Sequence, residues 1–250
     1  MPSDRPITSD TIETLNHRVS VRDYTDEALD DATVLAILNA ARRTATSSNT
    51  QTYSFVVVRD PDTKETLSVL AGHQKHIQTC PVFVAVCADL TRLHTSTEMH
   101  QSPLAVNLEL SMVAIVDAAI AGQSAALAAE SLGLGTVMIG GMRNHPEEVA
   151  EVLGLPDGVF VVYGLCLGWI AHKTPQKPRL PQESVIHFER YTPTMPEILA
   201  QHDAELAEHY RSQGRRSRDA AWTGVLSEKF SHPQRVHLRE VLEKRGFRFD

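Results

Sequence analysis

Four groups of residues carry side chains or bare backbone able to hold a small anionic or flat ligand. In Arg18-Val-Ser-Val-Arg22, an extended backbone alternates its side chains and puts Arg18, Ser20 and Arg22 on one face. Two guanidiniums and a hydroxyl on one side suit a phosphate or a polarised carbonyl. In Lys177-Pro-Arg179 the proline fixes its own φ and keeps the preceding residue extended, so a second cation pair shares a side. The run Gly133-Leu-Gly135 to Ile139-Gly-Gly141 is no dinucleotide fingerprint. The third glycine would fall at Met138, and the order is helix, glycines, strand rather than strand, glycines, helix. Gly140 and Gly141 instead follow a strand, where bare backbone can approach a flat ligand and donate N–H groups. Finally, Thr46-Ser-Ser-Asn49 with Gln51, and Gly72-His-Gln74, offer neutral donors and acceptors suited to a polyol and to heterocycle edges. Taken singly, each is ordinary turn or surface chemistry.

These groups need a scaffold, and the hydrophobic pattern describes one. Ser9 or Asp10 caps a first helix, and Asp30 or Asp31 caps a second whose apolar face is Val34, Leu35, Ile37, Leu38 and Ala41. Tyr53–Val58, Val82–Ala88 and Val159–Leu167 read as buried strands, with Thr136–Ile139 a short fourth. Asp60-Pro-Asp62 starts a helix that ends near Gly72, and Pro146–Leu153 is another. Leu104–Leu132 is one long helix, apolar over most of its circumference, so it is buried on more than one side or meets a partner. Four prolines between 178 and 196 make that stretch irregular. Helices are expected again at Met195–Arg211, Ala221–Phe230 and Gln234–Arg245. This is one α+β core ending near residue 180, followed by an extension (181–250) with so little core of its own that a partner subunit is its natural support.

Composition narrows the class. The 250 residues carry a formal charge of −7, which excludes nucleic-acid binding through the overall field, so any anion is held by a local cation cluster. Cys80, Cys87 and Cys166 are odd in number and form no C-x-x-C. With residues 1–10 lacking the apolar stretch of a signal peptide, they point to a reducing, cytoplasmic compartment. The apolar region 112–127 is interrupted by Asp117, Gln123 and Ser124 and falls short of a membrane span. Twelve histidines include the pairs His73/His76 and His94/His100, but no metal-binding spacing such as H-E-x-x-H, and no metal is expected.

In order and spacing the groups resemble the nitroreductase family, and more narrowly its oxygen-insensitive NADPH nitroreductase and NADPH–flavin oxidoreductase branch. The resemblance rests on "HRVSVRDYTDE", "TATSSNTQ", "LAGHQKHI", "AAESLGLGTVMIGGMRNHPEEV", "LPDGVFVVYGLCLGW", "KPRLPQESVIH" and "YRSQGRRSRDAAW", together nearly the whole chain. It implies a three-layer α/β/α fold around a mixed, mainly antiparallel sheet. It also implies a homodimer with FMN at the interface and C-terminal segments wrapping the partner. Arg18, Ser20, Lys177 and Arg179 then match positions around the FMN phosphate, and Arg22 the position near the pyrimidine side of the ring. Ser47, Ser48 and Gln74 match ribityl and ring contacts, and Ile139, Gly140 and Gly141 the strand end against the isoalloxazine. Arg218 matches a contact to the NADPH 2′-phosphate, with Arg215 and Arg216 beside it. The chain departs from relatives in one extra residue before Ser20, which leaves Val19 where a cation is usual unless His17 stays in reach, and in Met138 and Gln213.

The implied activity is hydride transfer from NADPH through FMN to a nitroaromatic, quinone or flavin acceptor, by a ping-pong mechanism in one shared place. Arg22 is the expected electrostatic stabiliser of reduced FMN, and no protein nucleophile or general base is required. The alternative is a flavin-binding sensor or carrier of the same fold with little turnover. A flavin-destroying or dehalogenating relative is a further reading, disfavoured by the reductase-like tail.

Overall fold

The computed structural model describes residues 7–250, so residues 1–6, part of the opening segment read above as lacking a signal peptide, lie outside the described residues. The chain forms two compact units. One runs to Thr174 and includes His237–Asp250; the other is Pro175–Val236.

The first unit is built on a sheet of β1 (Tyr53–Val58), β2 (Val82–Asp89), β3 (Leu134–Ile139) and β4 (Val159–Trp169), in the order β1-β2-β4-β3. Neighbouring strands are all antiparallel. A parallel bridge between Ser20 and Thr136 makes the sheet mixed. The central strand explains the layering. Every residue of β2 is buried, and its period-two alternation sends Val82, Val84, Val86 and Ala88 into one core and Phe83, Ala85 and Cys87 into another. A strand apolar on both faces must be covered on both.

One cover is α6 (Leu108–Ser131) with α2 (Asp31–Ala41) outside it. The buried face of α6 is almost all small: Ala114, Ala118, Ala121, Gly122, Ala125 and Ala129. A Cβ on Gly122 would sit 2.1 Å from the Tyr163 hydroxyl, which donates to Ala119 O at 3.0 Å. Helix and sheet therefore meet almost backbone to side chain. The other cover is α3 (Pro61–Leu70), α4 (Lys75–Thr79) and α7 (Pro146–Val152), which contribute Leu67, Ile77 and Val149 to the second core. The remaining helices of this unit are α1 (Asp10–His17), α5 (Thr91–Met99) and α10 (Leu238–Lys244). In the second unit, α8 (Pro196–Ser212) and α9 (Thr223–Phe230) enclose a small core of Leu206, Ala207 and Ala221.

The structure corrects several local expectations. Strand β1 lies at the sheet edge and is only partly buried, with Val57 exposed. Leu35 faces out of α2 at 58% exposure, since the core takes only one stripe of that helix. Helix α6 starts at Leu108, where Asn107 caps it by accepting from Leu110 N–H at 3.0 Å. At 24 residues it is long and apolar enough, by length and composition, to cross a membrane, unlike the shorter interrupted run measured in the sequence. In this fold its small-residue face lies on the sheet. Helices α4 and α5 were not expected; one has five residues and the other buries none, so neither shows a periodic apolar face. All three cysteines are free and buried, and the Cys80 thiol donates to Ile77 O at 3.3 Å.

Gly164 is a sensitive point of this packing, because a Cβ there would lie 2.2 Å from the ring of Phe83, itself fully buried. Gly164→Ala is expected to cost about 1–3 kcal/mol by overpacking. Thermal unfolding should read this as a fall of roughly 2–4 °C per kcal/mol.

Candidate functional site

The Arg18–Arg22 segment is extended, as its alternation predicts. Arg18 leaves α1 with φ −62° and ψ 138°, and Val21 N–H then donates to Thr136 O on β3 at 2.9 Å. Val21 points inward, 1% exposed, against a bare backbone: a Cβ on Gly135 would lie 2.7 Å from it. Gly135 is therefore glycine to admit Val21, and Gly133 has φ +84° after the end of α6. That is the physical reason the glycine run belongs to packing and not to a dinucleotide site. With Val21 inside, Arg22 is exposed and Ser20 half-buried.

Arg18 behaves differently from Arg22. Its Nε and Nη2 lie 3.3 and 3.2 Å from Oε1 of Glu130 on α6, and the Glu130 side chain is only 8% exposed. The Thr136 hydroxyl also donates to Glu130, at 2.6 Å. A carboxylate this buried needs such partners, so much of Arg18's charge is answered within the fold. Arg22 has no ion pair among the described residues. His17 Nδ1–H donates to Glu13 O at 2.8 Å, and the ring lines, with Arg18, Val19 and Glu130, a cavity of about 330 Å³.

The turn after β3 and the Gly72–Gln74 loop are neighbours. A Cβ on Gly141 would lie 2.4 Å from Ala71 O, and one on Gly72 would lie 3.4 Å from Asn144 Nδ2. The bare backbone at Gly141 thus serves first to let these two loops touch, whereas a Cβ on Gly140 would meet the Arg143 guanidinium at 3.2 Å. Gly72 and His73 both have positive φ. They turn the chain so that Gln74, half-buried, starts α4. His76, two residues on, enters the sequence reading only as half of the discounted metal pair His73/His76. Burial first, and the Arg22 guanidinium second, hold its imidazole below the usual range, and its buried Nε2 has no hydrogen-bond partner. Ile139 is buried and Met138 exposed at the end of β3. The Gly72–Gln74 loop is thus tied on one side to the Gly141 turn, while His76 in the helix it starts feels the charge of Arg22.

The Thr46–Gln51 loop is anchored elsewhere, by Asp117 of α6. This carboxylate, 1% exposed, accepts from Ser47 N–H at 3.0 Å, Thr52 N–H at 3.2 Å and the Thr52 hydroxyl at 2.9 Å. The Thr50 hydroxyl lies 3.1 Å from the same group. Ser48, Asn49 and Gln51 have φ of 47°, 58° and 53°, a left-handed shape that costs a non-glycine residue about 1–2 kcal/mol. The hydroxyls of Ser47 and Ser48 are left exposed. In the sequence Asp117 is only a break in an apolar run; its one signal is a lone acid on a helix otherwise fit for burial.

In the second unit, Lys177 and Arg215, 38 positions apart, approach the same ring: Lys177 Nζ lies 5.5 Å and the Arg215 guanidinium 4.7 Å from the centre of Tyr210. Arg179 is exposed, with Nη1 3.5 Å from Lys177 O. Arg218 is held by both oxygens of Glu228, and Arg211 by Glu208 and Asp219. Arg216 is exposed. Among the described residues no cluster of three or more His, Cys, Asp or Glu side chains is placed to hold a metal ion.

Comparison with known proteins covers the same ground from outside. The model of the nitroreductase family matches residues 15–169, and that of the family's C-terminal domain residues 177–250. The chain is 41% identical over 239 residues to the oxygen-insensitive NADPH nitroreductase of Salmonella typhimurium, covering 96% of this chain and 98% of that protein. It is 37% identical over 246 residues to FMN reductase (NADPH) of Bacillus subtilis, covering 96% and 98%. Among solved structures, that of B. megaterium NfrA2 superposes with a TM-score of 0.94 at 39% identity, covering 97% of this chain and 100% of the other.

The contact of Gly141 with Ala71 O makes a direct forecast. Gly141→Ala should part the two loops, and hydrogen exchange should then show faster amides at Gly72–Gln74 with β2 unchanged. Equal protection in variant and wild type would mean that the two loops hold their positions independently.

Proposed function

The chain belongs to the nitroreductase family, and on that premise we propose which of its residues serve an NAD(P)H-dependent flavin oxidoreductase. The reaction is hydride transfer from NADPH through FMN to a nitroaromatic, quinone or flavin acceptor. FMN, when bound, supplies the hydride chemistry; the chain supplies position and charge. The two half-reactions use one place in turn, which gives ping-pong kinetics.

The assignment is carried by two contacts: the Gly72–Gln74 loop touches the turn after β3 through Ala71 O and Gly141, and His76 on the following helix, its Nε2 unpartnered, feels the charge of exposed Arg22. A cation, an amide and an imidazole nitrogen suit the polar edge of a flavin ring, and the glycine turn leaves backbone N–H groups open to it. Arg22, having no carboxylate partner, stabilises the negative charge of the reduced ring. The exposed Ser47 and Ser48 hydroxyls suit the ribityl chain. Arg18 and Ser20 are the phosphate contacts proposed in the first unit, with Arg18 contributing less because Glu130 already holds it; Lys177 and Arg179 are the phosphate-binding cations proposed in the second. For the 2′-phosphate of NADPH, Arg215 and Arg216 are the readier cations; Arg218 has first to exchange Glu228 for phosphate.

A homodimer is supported by an apolar stripe on the outward face of α6. Leu108, Met112, Val116 and Ile120 recur every four residues and are 41–51% exposed, a row that a second copy would cover. Three free, buried cysteines fit the reducing compartment of the cytoplasm.

The visible spectrum of the purified protein, before and after NADPH without oxygen, tests the reading. A yellow protein with extractable FMN that bleaches on NADPH supports it. A yellow protein that does not bleach favours the sensor or carrier, and a colourless protein that takes up no added FMN overturns the cofactor assignment. Arg22→Ala should bind FMN yet slow bleaching by about 10²–10³, the usual loss on removing one preorganised electrostatic contact. An unchanged rate would free Arg22 of that role.

A further inference from the structure

We propose that Asp117 is the positioning residue that sets the Ser47–Ser48 loop for the cofactor. The proposal rests on the reading of the chain as an FMN enzyme. An acid on the buried side of an apolar helix is unfavourable unless its oxygens are answered. Here they are answered by hydrogen-bond donors, since among the described residues no cation pairs with Asp117. The donors all come from one loop and its exit: Ser47 N–H to Oδ1, and Thr52 N–H with the Thr52 hydroxyl to Oδ2. The single proton of the Thr50 hydroxyl is shared between Ser47 O at 2.8 Å and Oδ2 at 3.1 Å, a three-centre link between the turn and the carboxylate.

The loop has reason to relax without this anchor. Three non-glycine residues in five positions are left-handed, and a chain pays for that shape only where its surroundings fix it. The bonds to Asp117 use backbone and threonine groups and none of the Ser47 or Ser48 hydroxyls, which stay exposed. The anchor is thus buried and the ligand-facing groups are outside, the division expected of a preorganised site. Asp117 acts through the loop and touches no ligand itself.

The test is FMN affinity, read by quenching of flavin fluorescence on titration into apoprotein, with denaturant unfolding measured separately. Asp117→Asn puts amide hydrogens where the loop presents donors. It should raise the Kd for FMN at least tenfold and shift the visible spectrum of whatever flavin binds, while helix content stays as in the wild type. A purely structural role would lower unfolding stability and leave both flavin readouts unmoved, and that result overturns the proposal. Should Asp117→Asn fail to fold, Thr50→Val and Thr50→Ser decide. The valine should weaken FMN binding several-fold and the serine, which keeps the hydroxyl, should restore it; equal affinity in the two overturns the proposal. If the wild type itself binds no FMN, the enzyme reading fails instead, and the two failures are told apart.

Discussion

The first unit depends on how closely α6 lies on the sheet. Alanines and Gly122 line its buried face, and Tyr163 closes over that glycine to reach Ala119 O. No larger side chain fits there without moving the helix or the strand. This close seat matters beyond stability because α6 carries two acids that hold distant segments: Asp117 holds the Ser47–Thr52 loop, and Glu130 holds Arg18 and Thr136. Thirteen residues of helix set them about 20 Å apart. A shift of the helix on the sheet would carry both anchors with it.

Magnitudes explain why the two acids are tolerated. An unpaired buried carboxylate costs several kcal/mol, more than one substitution normally changes in a domain of this size. Asp117 is answered by backbone and hydroxyl donors, Glu130 by Arg18 and Thr136. Hydrogen bonds to a charged group return about 1.5–3 kcal/mol each, enough to offset three left-handed residues at about 1–2 kcal/mol apiece. The loop's unfavourable backbone and the helix's unfavourable charge are each other's remedy, and neither makes sense without the other.

This reciprocity also marks what was legible in the sequence. The extended backbone of Arg18–Arg22, the two-faced burial of β2 and β4, and the existence of one long buried helix, though not its start at Leu108, follow from local pattern. The partner of Arg18 is 112 positions away and that of Ser47 is 70 positions away; no periodicity within a window reports such pairs. Asp117 looked like an interruption because a helix pattern scores apolarity and not what reaches the helix from elsewhere. The two glycine pairs conceal their partners in the same way. Gly135 and Gly141 are bare to admit Val21 and Ala71 O, contacts that depend on the register of segments far apart in the chain. The resemblance to a family supplied roles for residues; it could not say that Glu130 already holds one of the two guanidiniums.

A single device recurs in both units. Asp203 in the second accepts from Trp222 N–H at 2.6 Å and Thr223 N–H at 2.9 Å, fixing the start of α9. Asp89 at the end of β2 accepts from Thr91 N–H at 2.9 Å, where α5 begins. Burial alone would push the Asp89 carboxyl up, yet hydrogen bonds from Ser54 and Thr91 and the Arg92 charge bring it below its ordinary value. It is therefore ionised at neutral pH, able to accept and unable to donate. Acids committed in this way make poor proton carriers and good fixtures. Asp89, Asp117 and Asp203 each turn their oxygens to backbone N–H groups, and so hold loops and helix starts in shapes the backbone would otherwise leave.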